Sequence, residues 1–265
     1  MKHKTKSWIN AVLLVFTLIV NGMGASGLIN GLSQKEVSDM YPTLITPAPS
    51  TFSIWGIIYT FLIISIIFMI IKSEDPYYER VIDEISFLFW LSCALNIVWI
   101  VSFSYTFIGL STIFIFAFLI VMVLIVKRIA KIQRRGRWLL PITFGLYSGW
   151  LFIATVVNIA AWLVKIQWGR FGISAEIWSS ITPVLAVGLT LMVLQKTKNA
   201  IFPIPIAWAY FGIYNFLLSP DGYKGEYPLL QIVALIGIVI LIVLSGMQFY
   251  KNQYNIMVST SVRKK

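Results

Sequence analysis

Apolar residues run through this chain in stretches far longer than one face of a water-soluble helix requires, and the polar residues gather between them. Eight stretches can be marked, at about 8–30, 50–71, 85–105, 107–126, 139–164, 177–195, 203–218 and 229–250. Most exceed the roughly 18 residues that carry a helix across a hydrocarbon core of about 30 Å. Period-two alternation is absent and lipid cannot satisfy open backbone groups, so each stretch is expected to be a transmembrane helix. The seventh is the shortest and starts behind Pro203 and Pro205, so a re-entrant form stays open beside a crossing one. The longest connection, 31–49, holds Pro42, Pro47 and Pro49 and cannot be one continuous helix. It reads either as a connector or as a lid over one end of the bundle.

Polar and aromatic residues inside the stretches are not scattered. In the fifth, Trp150, Ala154, Asn158 and Trp162 recur every fourth residue, along one slowly drifting helix face. In the third, Ser92, Asn96, Trp99 and Phe103 share a face, and in the second Trp55 and Tyr59 are one turn apart. Spacing alone leaves two readings open: helix packing with each indole N–H on a neighbouring carbonyl, or an aromatic pocket for a ligand. Trp8, Trp138, Trp168 and Trp178 fall near span ends, where indole rings prefer the membrane interface. Trp162, at the outer end of its stripe, belongs either to that inward face or to the same belt. Gly27 and Gly31 form a G-x-x-x-G pair that predicts close helix packing at the end of the first stretch.

Composition agrees with the pattern. The chain of 265 residues is 58% hydrophobic and only 12% charged, where a soluble domain carries about 25% charge. The net charge of +11 sits in loops and tails, so membrane orientation explains it and nucleic acid is excluded as a partner. With the N-terminus inside, only Lys35, Lys165, Arg170 and Lys224 of the 21 Lys and Arg fall outside. Both termini are therefore expected in the cytoplasm, in a multi-pass protein of the cell membrane. The basic first stretch is read as a retained helix, being too long for a signal peptide. The basic loop 127–138 is read as an orientation signal beside anionic headgroups, with membrane lipids as its partner.

Other chemistry is weak. Cys93 is the one cysteine and His3 the one histidine, so disulfides and His/Cys metal sites within one chain are excluded, and no cofactor is expected. No Asp, Glu, Lys or Arg lies in the middle of a stretch, which counts against ion- or proton-coupled transport. Gly22, Gly24 and Gly27 spell G-x-G-x-x-G, but inside an apolar helix rather than after a strand. The acidic residues of 73–84 read as a solvated inner loop, not as the acidic cluster of a membrane transferase. No catalytic residue is assigned, and the chain is not expected to be an enzyme. Asn215 and Gln231 in the later stretches keep a small-solute permease or transport component as the alternative.

Several stretches, taken in order, resemble the TspO/MBR family of tryptophan-rich sensory and translocator proteins. Residues 47–59 are similar to its proline-rich approach followed by W-x-x-x-Y, with Trp55 and Tyr59. Residues 95–99 are similar to its L-N-x-x-W, with Asn96 and Trp99. Residues 147–162 are similar to its fifth-helix pattern, with Tyr147, Trp150, Ala154, Asn158 and Trp162. The chain departs from the family at Ser53-Ile54, where Gly-Pro is usual, and at Leu146 before Tyr147, where Pro is usual. The resemblance covers roughly residues 1–165 and implies an all-α, five-helix TspO-like transmembrane bundle there. Three additional helices over 166–250 and a basic cytoplasmic tail over 251–265 would follow. It further implies a ligand pocket beneath the first outer loop for porphyrins or other flat apolar molecules, with a sensory or transport-accessory role. Its expected lining is Trp55, Tyr59, Asn96, Trp99, Tyr147, Trp150, Ala154 and Asn158, with Trp55 and Trp150 at the positions linked to porphyrin breakdown. A homodimer stays open as a further partner.

Overall fold

The computed structural model describes residues 1–258. Among them nine α-helices run in the order α1 (His3–Ala25), α2 (Gln34–Asp39), α3 (Ile54–Ile71), α4 (Pro76–Ser104), α5 (Ile108–Ile132), α6 (Leu139–Lys165), α7 (Ala175–Thr197), α8 (Pro203–Leu218) and α9 (Pro228–Lys251), with 3-10 turns at Pro49–Ser53 and Arg170–Gly172 and no strand. Seven of these helices, all but α2 and α8, are long and apolar enough to cross a membrane. The protein is an all-helical, polytopic membrane protein. α8 has 16 residues, about 24 Å of helix at 1.5 Å per residue.

α4 lies between α1 and α5, α6 meets α3, α5 and α8, and α7 and α8 both pack on α9. α6 is the most enclosed helix, with 72% of its apolar window buried against 22% for α1 and for α9. Small residues make this possible. A Cβ added at Gly149 would collide with the carbonyl oxygen of Phe202 and lie 3.2 Å from Pro205 Cδ, so α8 seats directly on the backbone of α6. The Asn199 amide, 2.8 Å from the Pro141 carbonyl, ties the start of α8 to the start of α6.

The acidic segment 73–84 is not a solvated loop. Asp75 caps α4, taking the Tyr77 N–H at 2.9 Å, and Pro76 occupies the first turn, where its missing N–H costs nothing. Tyr77, Tyr78, Val81 and Ile82 are buried, so one face of this extra helix packs while the other meets cations. Asp83 accepts from His3 at 2.9 Å and Lys6 at 2.6 Å, Glu84 from Arg128 at 2.8 Å and Asp75 from Arg137 at 2.9 Å. Helix likewise continues through the first half of the basic loop, to Ile132. The G-x-x-x-G expectation also changes. α1 ends at Ala25, and Gly27 and Gly31 are turn residues at φ +77° and +76°, a conformation glycine adopts without steric cost. Close packing falls one turn earlier, at Gly24, where a Cβ would lie 2.7 Å from Gln34 and 2.8 Å from Ile100.

The segment after α9 is docked rather than free as far as residue 258. The Asn252 amide donates to the Lys198 carbonyl at 2.8 Å, the Ala200 N–H donates to Ile256 O at 2.9 Å, and Met257 is buried. Arg263, Lys264 and Lys265 of the expected basic tail lie outside the described residues.

The Asp75–Arg137 pair gives a pH prediction. Partial burial works to raise the carboxyl, but the Tyr77 N–H, the Arg137 guanidinium and the Tyr78 N–H outweigh it, leaving it below its ordinary 3.8. A group lowered on folding contributes stability above its unfolded value and loses it as pH falls through the folded one. Acidification from about pH 4 downward is therefore expected to weaken this contact. Asp75→Asn, which keeps a capping oxygen, should flatten that part of the melting-temperature profile measured in detergent.

Candidate functional site

The faces marked by spacing converge. Trp55, at the start of α3, lies at the centre of a ring cluster. It stacks on Tyr59 at 5.2 Å between centroids and 21°, and meets Tyr147 edge-on at 5.9 Å, Trp150 edge-on at 6.1 Å and Trp99 at 6.3 Å. Phe52 stands edge-on over Trp150 at 5.8 Å, and Phe118 of α5 backs Tyr147 at 5.5 Å. Edge-to-face and offset contacts at these separations are the favoured arrangements of aromatic quadrupoles. Trp99, Tyr147 and Trp150 are buried, Trp55 and Tyr59 are half-buried, and Phe52 is 41% exposed. Phe52 is the most exposed ring of the cluster.

Amides and phenols form a chain alongside the rings. The Tyr59 hydroxyl donates to Asn21 Oδ1 at 2.8 Å, Asn21 Nδ2 to Asn96 Oδ1 at 2.6 Å, and Asn96 Nδ2 to the Tyr147 oxygen at 3.3 Å. This chain links α3, α1, α4 and α6. A second junction lies about three turns further along α6. Asn158 accepts from Trp99 Nε1 at 3.1 Å and donates to Thr112 Oγ1 at 2.7 Å and Ser111 Oγ at 3.1 Å. Asn158 thus locks α4, α5 and α6 together and reaches the ring cluster only through Trp99. Ala154, half-buried between Trp150 and Asn158, is the small step between the two.

All eight expected residues lie along this α3–α4–α6 junction. Asn21, Phe52, Phe118, Ser111 and Thr112 belong to it as well. Of these, Asn21 carried a signal, being an amide inside an apolar stretch; the others do not stand out in sequence. Trp162 is 37% exposed and lies across Gly109, consistent with a ring at the membrane boundary. Trp90 has a packing role, donating to Asn10 Oδ1 at 2.6 Å between α4 and α1. Asn215 is exposed on α8, whereas Gln231 Nε2 is buried without a partner on α9.

The long connection between α1 and α3 is built, not slack. Ser33 and Glu36 form a reciprocal capping box at the start of α2, and Val37 packs with Ile108 and Ala161 over the ends of α5 and α6. The chain then crosses to α8. Ala48 N–H donates to Gly212 O at 3.0 Å, Trp208 Nε1 donates to Thr51 O at 2.9 Å, and a Cβ at Gly212 would collide with Thr51. The turn carrying Phe52 over Trp150 is therefore held from the far side by α8.

Comparison with curated proteins and with solved structures finds no match. A family model described as TSPO-like protein matches residues 7–247. The match continues beyond residue 165, through α7 and α8 and into α9. A membrane bundle centred on α6, with its aromatic faces turned inward and a family match over nearly its whole length, belongs to the TSPO-like protein family.

Proposed function

We propose that this integral membrane protein binds a flat hydrophobic molecule, porphyrin-like or similar, at the Trp55 cluster, in a sensory or transport-accessory role. The observation that carries the reading is Trp55 itself: a half-buried indole touching four other rings, one of which, Trp150, also meets the exposed ring of Phe52. Aromatic walls with a few fixed polar groups suit planar conjugated ligands. A flat ligand needs about 7 Å between two parallel rings, twice the contact distance of carbon atoms. The Trp55–Tyr59 stack at 5.2 Å cannot admit one, so the ligand enters on the Phe52 side and displaces the Pro49–Ser53 turn. The reading puts the protein in the cell membrane with both termini cytoplasmic, because lysines and arginines crowd the end where α4 starts and α5 finishes.

Titrating the purified protein in detergent with protoporphyrin tests this. Saturable quenching of tryptophan fluorescence is expected. Trp150→Phe should weaken affinity about five-fold, the loss of one good aromatic contact. Quenching that rises linearly without saturation would contradict the proposal.

A further inference from the structure

We infer that a groove between the start of α5 and the end of α6 binds one anionic membrane phospholipid, with the lipid phosphate on Lys165. The groove has a volume of about 420 Å³, and its walls include Phe107, Gly109, Leu110, Trp162, Lys165 and Ile166. It lies at the end of these two helices opposite the basic loop 127–138. Trp162 is about 18 Å along α6 from Trp150, so the groove stands apart from the Trp55 cluster. Gly109 shapes its floor. A Cβ there would come within 2.9 Å of Trp162 Nε1, so the missing side chain lets the indole lie across the start of α5. Phe107, Leu110, Trp162 and Ile166 are all exposed. An indole at the membrane boundary with apolar neighbours meets acyl chains in any bilayer. Selection among lipids therefore falls to the one charged residue of the groove.

Lys165 is a positioned cation without an anion. Its ammonium donates to the Thr106 carbonyl and stands 5.5 Å from the centroid of the Tyr41 ring. An ammonium has three donors, so two remain for a ligand. α2 covers these helix ends through Val37, but both of its acids are committed. Asp39 pairs with Lys35, and Glu36 closes the capping box with Ser33. Among the described residues Lys165 takes part in no ion pair. A phospholipid brings a phosphate to this charge at the depth where the Trp162 ring sits, while its acyl chains cover the apolar walls. A zwitterionic headgroup would add a second cation, for which the groove offers no acid. A headgroup of net negative charge, such as phosphatidylglycerol, fits the site better.

Photolabelling the full-length protein in phosphatidylcholine vesicles tests this. Trace phosphatidylglycerol, phosphatidylcholine or diacylglycerol is added, each with the same diazirine near the glycerol end of one acyl chain, and labelled peptides are mapped by mass spectrometry. Labelling of 107–110 and 162–166 is normalised to that of the lipid-facing surface of α9. It is expected to be about five-fold stronger with phosphatidylglycerol than with the other two, the effect of one cation beside an anionic headgroup. Lys165→Gln should remove the excess, and Lys165→Arg should keep it. Equal labelling by the three lipids, an excess that survives Lys165→Gln, or an excess that Lys165→Arg also loses would overturn the inference. Displacement of the label by millimolar inorganic phosphate would overturn it as well, because the groove would then take a water-borne anion rather than a lipid.

Discussion

Gly149→Ala is expected to lower the stability of the folded protein by about 3 kcal/mol, the upper end of the overpacking range. The added methyl group meets the Phe202 carbonyl oxygen, with Phe202 C and Pro205 Cδ each 3.2 Å away. These are backbone and proline-ring atoms at the start of α8, so no rotamer change relieves the clash. α8 must move away from α6. Because α8 also holds Ala48 and Thr51, the displacement loosens the turn that places Phe52 over Trp150. Thermal unfolding in detergent should show a lowered midpoint, and hydrogen exchange should rise at the amides of 48–54. Gly188→Ala on α7, where an added Cβ meets nothing within 4 Å, should leave both readouts near wild type.

The second large effect is expected at Asn158. Asn158→Ala removes the acceptor of the Trp99 indole and the donor to Ser111 and Thr112 in one step. The two hydroxyls keep the Ile108 carbonyl as an acceptor, whereas the Trp99 N–H is left buried and unpaired. The orphaned donor and the cavity together should cost about 2–4 kcal/mol. Membrane interiors temper such losses, since the unfolded helices also find partners. A double-mutant cycle makes the claim specific. Trp99→Phe should cost less in the Asn158→Ala background than in wild type, because the indole N–H then has no partner to lose. Additive costs would mean that the Trp99–Asn158 bond contributes nothing.

The membrane stretches were legible because hydrophobicity over twenty residues is a strong signal, and the inward face of α6 was legible because Trp150, Ala154 and Asn158 repeat at helical spacing. The helix ends at the start of α4 and the finish of α5 were not. Charged residues such as Asp83, Glu84 and Arg128 look like loop until their partners on another helix are known. The Phe52 turn was hidden for a similar reason: its anchors, Gly212 and Trp208, lie far along the chain, Trp208 being 157 residues from Thr51. Gly27 and Gly31 matched a packing motif, but the helix had already ended at Ala25, so their conformational freedom is used in turns instead.

The central claim is that the Trp150 face of α6, Trp55 and Phe52 form one ligand-accepting surface. It is tested most directly by photolabelling the protein with a planar porphyrin that carries a diazirine, then mapping the modified peptides by mass spectrometry. The account predicts labels on residues 49–59 and 147–154 that disappear when excess unlabelled protoporphyrin is added. Labels confined to the lipid-facing surfaces of α7 and α9, or labels at 49–59 and 147–154 that excess protoporphyrin does not displace, would contradict it.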